Sequence, residues 1–290
     1  MANQAAQTAY GPMVVVALEQ HLPKEQRLVQ DNLVIQFMPP TFRLILNAAR
    51  WSPLYKWLFN FYEKQARGIW GGVLCRKRYI DDRLLKAVAD GVQAGVILGA
   101  GLDTRAYRLP ALAALPVFEV DLPENSAYKK AQLQKVFGMV PDHVTLTPLD
   151  FDTQDLGSAL ESQGYRPDHR SFFIWEAVTQ YLTETGVRRT LDYLSQAKPG
   201  SRLVFTYVCK DFIDGTARYG LDKLYEIYRV KRPIWHFGLD PARVAAFLEP
   251  YGWKEVEQLG GQEYIARYLN PAGRPMPVME IERVVYAEKV

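Results

Sequence analysis

The stretch Val96–Leu109, VILGAGLDTRAYRL, runs a short apolar segment into Gly99-Ala100-Gly101 and then into helix-compatible residues. The apolar segment reads as a buried strand, the glycines as a tight turn and the remainder as the start of a helix. A glycine turn at the carboxyl end of a parallel strand lets the backbone approach a ligand closely, and the helix that follows presents free amides. Two kinds of ligand use such a turn: dinucleotides, and S-adenosyl-L-methionine, which carries an adenosine but no phosphate.

The residues after the second glycine separate the two. A dinucleotide fingerprint asks for G-x-G-x-x-G, whose third glycine packs helix on strand beside the pyrophosphate. Here Thr104 holds the third position, and Asp103 puts a carboxylate where the pyrophosphate would sit. That charge repels a phosphate but suits a ligand bearing an ammonium and a sulfonium.

Downstream, strand-like and helix-like segments alternate with short breaks, the pattern of a doubly wound parallel sheet. Strands are expected at Val117–Val120, from Val144 towards Asp150, at Ser171–Trp175 and at Arg202–Val208, with helices over Glu124–Phe137, near Leu156–Glu161 and around Val187–Leu194. A helix over Pro241–Leu248 and two closing strands, Trp253–Gln258 and Ile281–Ala287, complete the series. A closing pair after five βα units fits a methyltransferase sheet better than a dehydrogenase sheet.

In open parallel sheets the ligand lies outside the carboxyl ends of the strands. Asp121 ends the second strand twenty residues after Gly101, the separation of a ribose-diol acceptor. Glu119, two residues earlier, is the weaker ribose candidate. Asp150 and Phe151 follow the third strand, suited to the adenine amino group and one ring face. Glu176 ends the fourth, after FFIW.

The bulk numbers exclude other classes. With 35 basic and 32 acidic residues the net charge is +3, and the basic residues form no runs, so no nucleic-acid partner is expected. Cys75 and Cys209 lack CxxC or Cys/His spacing, and Asp81-Asp82 point apart on a helix, so neither a disulfide nor a metal is expected. The first residues lack a basic leader region, and no apolar run reaches the length of a membrane span. A soluble cytoplasmic protein without a membrane partner is the expectation.

Two regions stand outside this pattern. Leu33–Trp70 is rich in Phe, Trp, Leu and Tyr, broken by Pro39-Pro40 and Pro53, and reads as helices at the sheet edge, either as core packing or as a lid over the acceptor. Asp211–Phe237 is irregular and aromatic, an insertion over the site.

VILGAGLDTRAYRL, VFEVDLPENSAYKKAQL and FFIWEAVTQYL together strongly resemble the leucine carboxyl methyltransferase family, particularly its bacterial small-molecule branch. The resemblance runs from about Arg76 to the C-terminus. It implies a class I S-adenosyl-L-methionine-dependent methyltransferase: an α/β, Rossmann-like, doubly wound seven-stranded sheet, mostly parallel with an antiparallel final strand. An N-terminal helical cap would span residues 1–75, with the methyltransferase domain at 76–290 and a helical insertion at about 211–237. The resemblance places Gly99 and Gly101 at the methionine part of the cofactor, Asp121 on the ribose, Asp150 and Phe151 at adenine, and Glu176 beside the amino-acid end. Ala100, Asp103, Thr104 and Leu122 flank these and complete the candidate set. An arginine ahead of the sheet would grip the cofactor carboxylate; in CRKRYIDD it is Arg76 or Arg78, with Arg76 preferred.

For the acceptor, Tyr181 lies just past the fourth strand and Tyr207 at the end of the fifth, and His236 lies in the aromatic insertion as a candidate base or acceptor ligand. The aromatic segments favour a small apolar or aromatic acceptor, methylated on a carboxylate or phenolic oxygen. The alternatives are an S-adenosyl-L-methionine-binding protein without turnover and an NAD-dependent oxidoreductase.

Overall fold

The computed structural model describes residues 10–50, 52–151 and 153–290. The stretch read for a leader therefore begins outside the described residues. Among the described residues five α-helices precede the sheet: α1 (Tyr10–Glu19), α2 (Val34–Phe37), α3 (Pro40–Ala48), α4 (Ser52–Gln65) and α5 (Ile69–Ala89). The apolar run Met13–Leu18 is wholly buried within α1. Its three consecutive valines are weak helix formers, so tertiary burial decides their conformation.

The sheet then unfolds as β1 (Ala94–Leu98), α6 (Arg105–Arg108), β2 (Val117–Asp121), α7 (Pro123–Phe137), β3 (Val144–Pro148), α8 (Leu156–Ser162), β4 (Ser171–Trp175), α9 (Glu184–Leu194) and β5 (Arg202–Val208). After β5 come α10 (Lys210–Asp214), α11 (Asp222–Tyr225), a π turn at Glu226–Lys231, α12 (Val244–Leu248), β6 (Trp253–Leu259), α13 (Gly261–Tyr264) and β7 (Glu282–Lys289). The strand order is β3-β2-β1-β4-β5-β7-β6, and β7 runs antiparallel to both its neighbours, β5 and β6. This is the expected seven-stranded methyltransferase sheet. The expected helix at Pro241–Leu248 begins instead as a 3-10 turn, Pro241–Arg243, before α12.

Strand periodicity assigns side chains to two cores. Ile97, Phe172, Ile174, Val204 and Val284 pack on one face with α1 and α5, while Val96, Leu98, Phe173, Trp175, Phe205 and Val285 pack on the other with α8, α9 and α12. Helices on both faces bury the central strands, and β1, β2 and β4 are buried at every position. The N-terminal segment thus covers a face of the sheet, where the sequence suggested an edge. Its last helix, α5, runs without a break across position 75. Among the described residues no helix is long and apolar enough to cross a membrane.

Candidate functional site

A cavity of about 270 Å³ opens at the carboxyl ends of β1 to β4, where the strand order switches between β1 and β4. Gly99, Ala100 and Gly101 form one wall. The amides of Gly99 and Ala100 both donate to the Val120 carbonyl, at 2.8 and 3.0 Å, turning the chain off the strand. Gly99 has φ +70° and Gly101 φ +44°, and a Cβ on Gly99 would overlap the Val178 side chain.

The acids expected at the strand ends converge here. Asp121, Leu122, Asp150, Phe151, Glu176 and Asp103 all line the cavity. The Asp121 carboxylate accepts from the Gly101 amide, from the Leu122 amide at 2.7 Å and from Asn125 Nδ2 at 2.7 Å. Three donors fix the orientation of a carboxylate that lies between the glycine turn and the start of α7. The neighbouring Glu119 is taken out of contention, because it pairs with Lys129 at 2.7 Å and accepts from the Tyr107 hydroxyl at 2.8 Å.

At the opposite end of the cavity, charges are dense and buried. Glu176 accepts from Arg76 Nε at 2.8 Å and from Arg105 Nη1 at 2.6 Å, with Lys77 Nζ 3.4 Å away. Arg76 also holds Glu282 at the start of β7, and Arg105 holds Asp81 at 2.7 Å and Asp103. Burial raises the Glu176 pKa, but Lys77, Arg105 and Arg76 outweigh it and hold the carboxyl well below its usual range. Burial lowers the Lys77 pKa, and Glu176 only partly opposes this. The Asp103 carboxyl, raised by burial, ends below its usual range through Arg105 and Lys77. Removing Glu176 would leave the buried Lys77 without its carboxylate and take a shared anion from Arg76 and Arg105.

A strained residue aims Glu176. Ala177 adopts φ +56°, a left-handed conformation costly for any residue with a Cβ. Its amide donates to Thr206 Oγ1 at 2.8 Å, and Thr179 Oγ1 donates to the Thr206 carbonyl at 2.7 Å. Strand β5 thereby holds the turn that directs the end of β4 into the cavity.

Other candidates fall elsewhere. Arg78 is exposed and pairs with Asp82 at 2.8 Å, because two helical residues turn it away from Arg76. Arg76 is the arginine in the cavity wall. Thr104 is buried behind the turn, donating to Asp31 Oδ2 at 2.5 Å. Tyr207 is fully buried and donates to Gln258 of β6, since strand alternation sends it into the core with Phe205. His236 lines a separate cavity with Glu184, Arg188 and Phe247. Tyr181 does line the site, its ring 6.4 Å from Trp235 of the insertion.

Sequence reading missed Lys77, Asn125, Pro12 and Met13. Lys77 falls on the apolar face of α5 with Trp70, Val73, Leu74 and Leu84, so its helical spacing was an available signal. Asn125 reaches Asp121 from only four residues on, a local spacing, whereas Pro12 and Met13 depend on contacts no local pattern encodes. Among the described residues no cluster of His, Cys, Asp or Glu is arranged to hold a metal. Asp81 faces Arg105 and Arg108, whereas Asp82 faces Arg78 and Tyr268.

The family model described as leucine carboxyl methyltransferase matches residues 9–195. A protein of Mycobacterium sp. (strain JLS), provisionally named an S-adenosyl-L-methionine-dependent methyltransferase, is 34% identical over 200 residues, covering 63% of this chain and 62% of that protein. One from Mycobacterium bovis (strain BCG / Pasteur 1173P2) with the same name is 30% identical over 227 residues, 74% of this chain and 71% of its own length. The match thus spans somewhat under two thirds of the first relative. Among solved structures, a duf574 family protein from Streptomyces avermitilis superimposes with a TM-score of 0.53 at 12% identity, over 87% of this chain and 91% of the other. A provisionally named sarcosine dimethylglycine methyltransferase from Galdieria sulphuraria gives 0.50 at 12% identity, over 75% and 86%. These two likenesses bear on the fold alone. The chain belongs to the leucine carboxyl methyltransferase family of S-adenosyl-L-methionine-dependent methyltransferases.

Proposed function

We propose that this chain moves the methyl group of S-adenosyl-L-methionine to an oxygen of a small apolar or aromatic acceptor, either a carboxylate or a phenolic hydroxyl. The observation that carries the reading is one cavity in which the glycine turn, Asp121, Asp150, Arg76, Lys77 and Glu176 meet. The donor set fits the cofactor. A diol suits the fixed Asp121 carboxylate and Asn125 amide, an adenine suits Asp150 and the Phe151 ring, and a zwitterionic tail suits Glu176 beside Arg76 and Lys77. A Cβ at Gly99 would close the same space.

When bound, the cofactor supplies a methyl group on a cationic sulfur, already joined to a good leaving group. The chain's part is therefore alignment. Gly99 to Gly101 and Glu176 fix one reactant, while Met13, Val178, Tyr181 and Leu182 wall the cavity with largely apolar surface that excludes water. Holding two reactants in line contributes about 7–11 kcal/mol to lowering a barrier. A carboxylate acceptor is ionised near neutral pH and asks for no base. A phenol must shed a proton, and His236, in its separate cavity, is not assigned to receive it.

Labelled S-adenosyl-L-methionine incubated with a panel of aliphatic acids, aromatic acids and phenols tests this. Label in an alkali-labile ester, or in an alkali-stable aryl ether, supports O-methylation and tells the two acceptors apart. Label only on nitrogen, or cofactor binding without transfer to any member, overturns it.

A further inference from the structure

Helix α4 carries aromatic side chains on two sides. Inward, Leu58 is buried, and Phe59 and Tyr62 meet Trp70 with ring centroids 5.0 and 6.1 Å apart. Outward, Trp57 and Phe61 are 60% and 47% exposed and stack on each other at 5.7 Å. Pro53, Lys56, Trp57, Asn60, Phe61, Lys64 and Gln65 are the exposed positions, so one face presents two rings flanked by ammonium groups. The preceding helix, α3, exposes Leu44 and Ile45 as well. Stacked aromatic rings held in water are unusual on a surface with no partner.

Charge says what that partner is. Residues 40–67 contain Arg43, Arg50, Lys56, Lys64 and Arg67 against a single acid, Glu63. Glu63 is already committed, its carboxylate accepting from the Gly68 amide at 2.8 Å and the Trp70 amide at 3.3 Å. Arg43 donates to the Met38 and Gln36 carbonyls, and among the described residues none of the five cations has a carboxylate partner within salt-bridge distance. A second copy of this chain would bring like charges together, whereas an anionic lipid surface meets both the rings and the cations.

We propose that the outer face of α4, with the exposed residues of α3, docks on an anionic bilayer. The rings enter the headgroup boundary, and the exposed Lys56 and Lys64 lie at the lipid phosphates. Such a contact needs no spanning segment, so the sequence features that argued against a membrane partner do not bear on it. Nor does it depend on the acceptor proposed above.

Co-sedimentation of the whole chain with vesicles is the test. Binding is expected to vesicles of phosphatidylcholine mixed with phosphatidylglycerol, to be weaker by tenfold or more on phosphatidylcholine alone, and to fall with added salt. The exposed pair Trp57→Ala/Phe61→Ala and the pair Lys56→Gln/Lys64→Gln should each weaken binding about tenfold while melting as the wild type does. Light scattering on the same samples distinguishes the other occupant. No binding to the mixed vesicles, binding unchanged in both pairs, or a dimer that Trp57→Ala/Phe61→Ala dissolves without any vesicle binding would overturn the proposal.

Discussion

Arg76 on α5 and Glu176 at the end of β4 stand 100 residues apart in sequence and 2.8 Å apart in the cavity wall. The pair ties the N-terminal helical layer to the sheet at the point where the cofactor's amino-acid end is assigned. Glu176→Gln would leave Arg76, Lys77 and Arg105 short of a shared anion in a buried site. A loss of up to about 3–5 kcal/mol in urea unfolding is expected, together with weakened cofactor binding.

Lys77 is the cation in this cluster with the fewest partners. It has Glu176 at 3.4 Å, whereas Arg76 is shared between Glu176 and Glu282. It is therefore the group most available to a cofactor carboxylate. Lys77→Gln should weaken S-adenosylhomocysteine binding about 10–100-fold in a calorimetric titration, the range of one hydrogen bond to a charged group.

His236→Ala should leave both cofactor affinity and kcat within about twofold of the wild type. The histidine lines a separate cavity, and its substitution removes nothing from the wall around Glu176. Steady-state kinetics on any accepted substrate reads this directly.

Glu257 on β6 provides an acid-sensitive clasp. It accepts from Tyr79 at 2.8 Å and Arg267 at 2.6 Å and also pairs with Arg83. Burial raises its pKa, but the hydrogen bonds from Arg267, Tyr79 and Arg83 outweigh this and lower it from 4.5 to about 2. A carboxyl with a depressed folded pKa contributes stability that is present above its unfolded pKa and lost as pH falls through the folded one. Glu257→Gln should therefore flatten the decline in unfolding free energy between about pH 4.5 and about pH 2. Denaturant titrations across that window measure the slope.

Local pattern was enough for much of the sheet. Ser171–Trp175 and Arg202–Val208 are strands with the bounds their apolar runs suggest, and Asp121, Asp150 and Glu176 meet because parallel strands bring their carboxyl ends to one side. What local pattern lacked was direction. Tyr207 stands near the end of β5, where alternation turns it into the core, whereas the left-handed Ala177 after β4 turns Glu176 into the cavity. Thr104 sits in the glycine motif but is spent on Asp31, 73 residues away. The placement of α1 over one sheet face, with Pro12 and Met13 in the cavity wall, depends on contacts between distant segments that no window of sequence contains.

The central claim is that this cavity takes an adenosine through Asp121 and a zwitterionic tail through Glu176, Arg76 and Lys77. Calorimetric titration of S-adenosylhomocysteine and of NAD into the wild type and Asp121→Ala tests it most directly. The account predicts one site for S-adenosylhomocysteine, about 1–3 kcal/mol weaker in Asp121→Ala, and no heat from NAD. Equal affinity in the two proteins, or binding of NAD in place of S-adenosylhomocysteine, would contradict it.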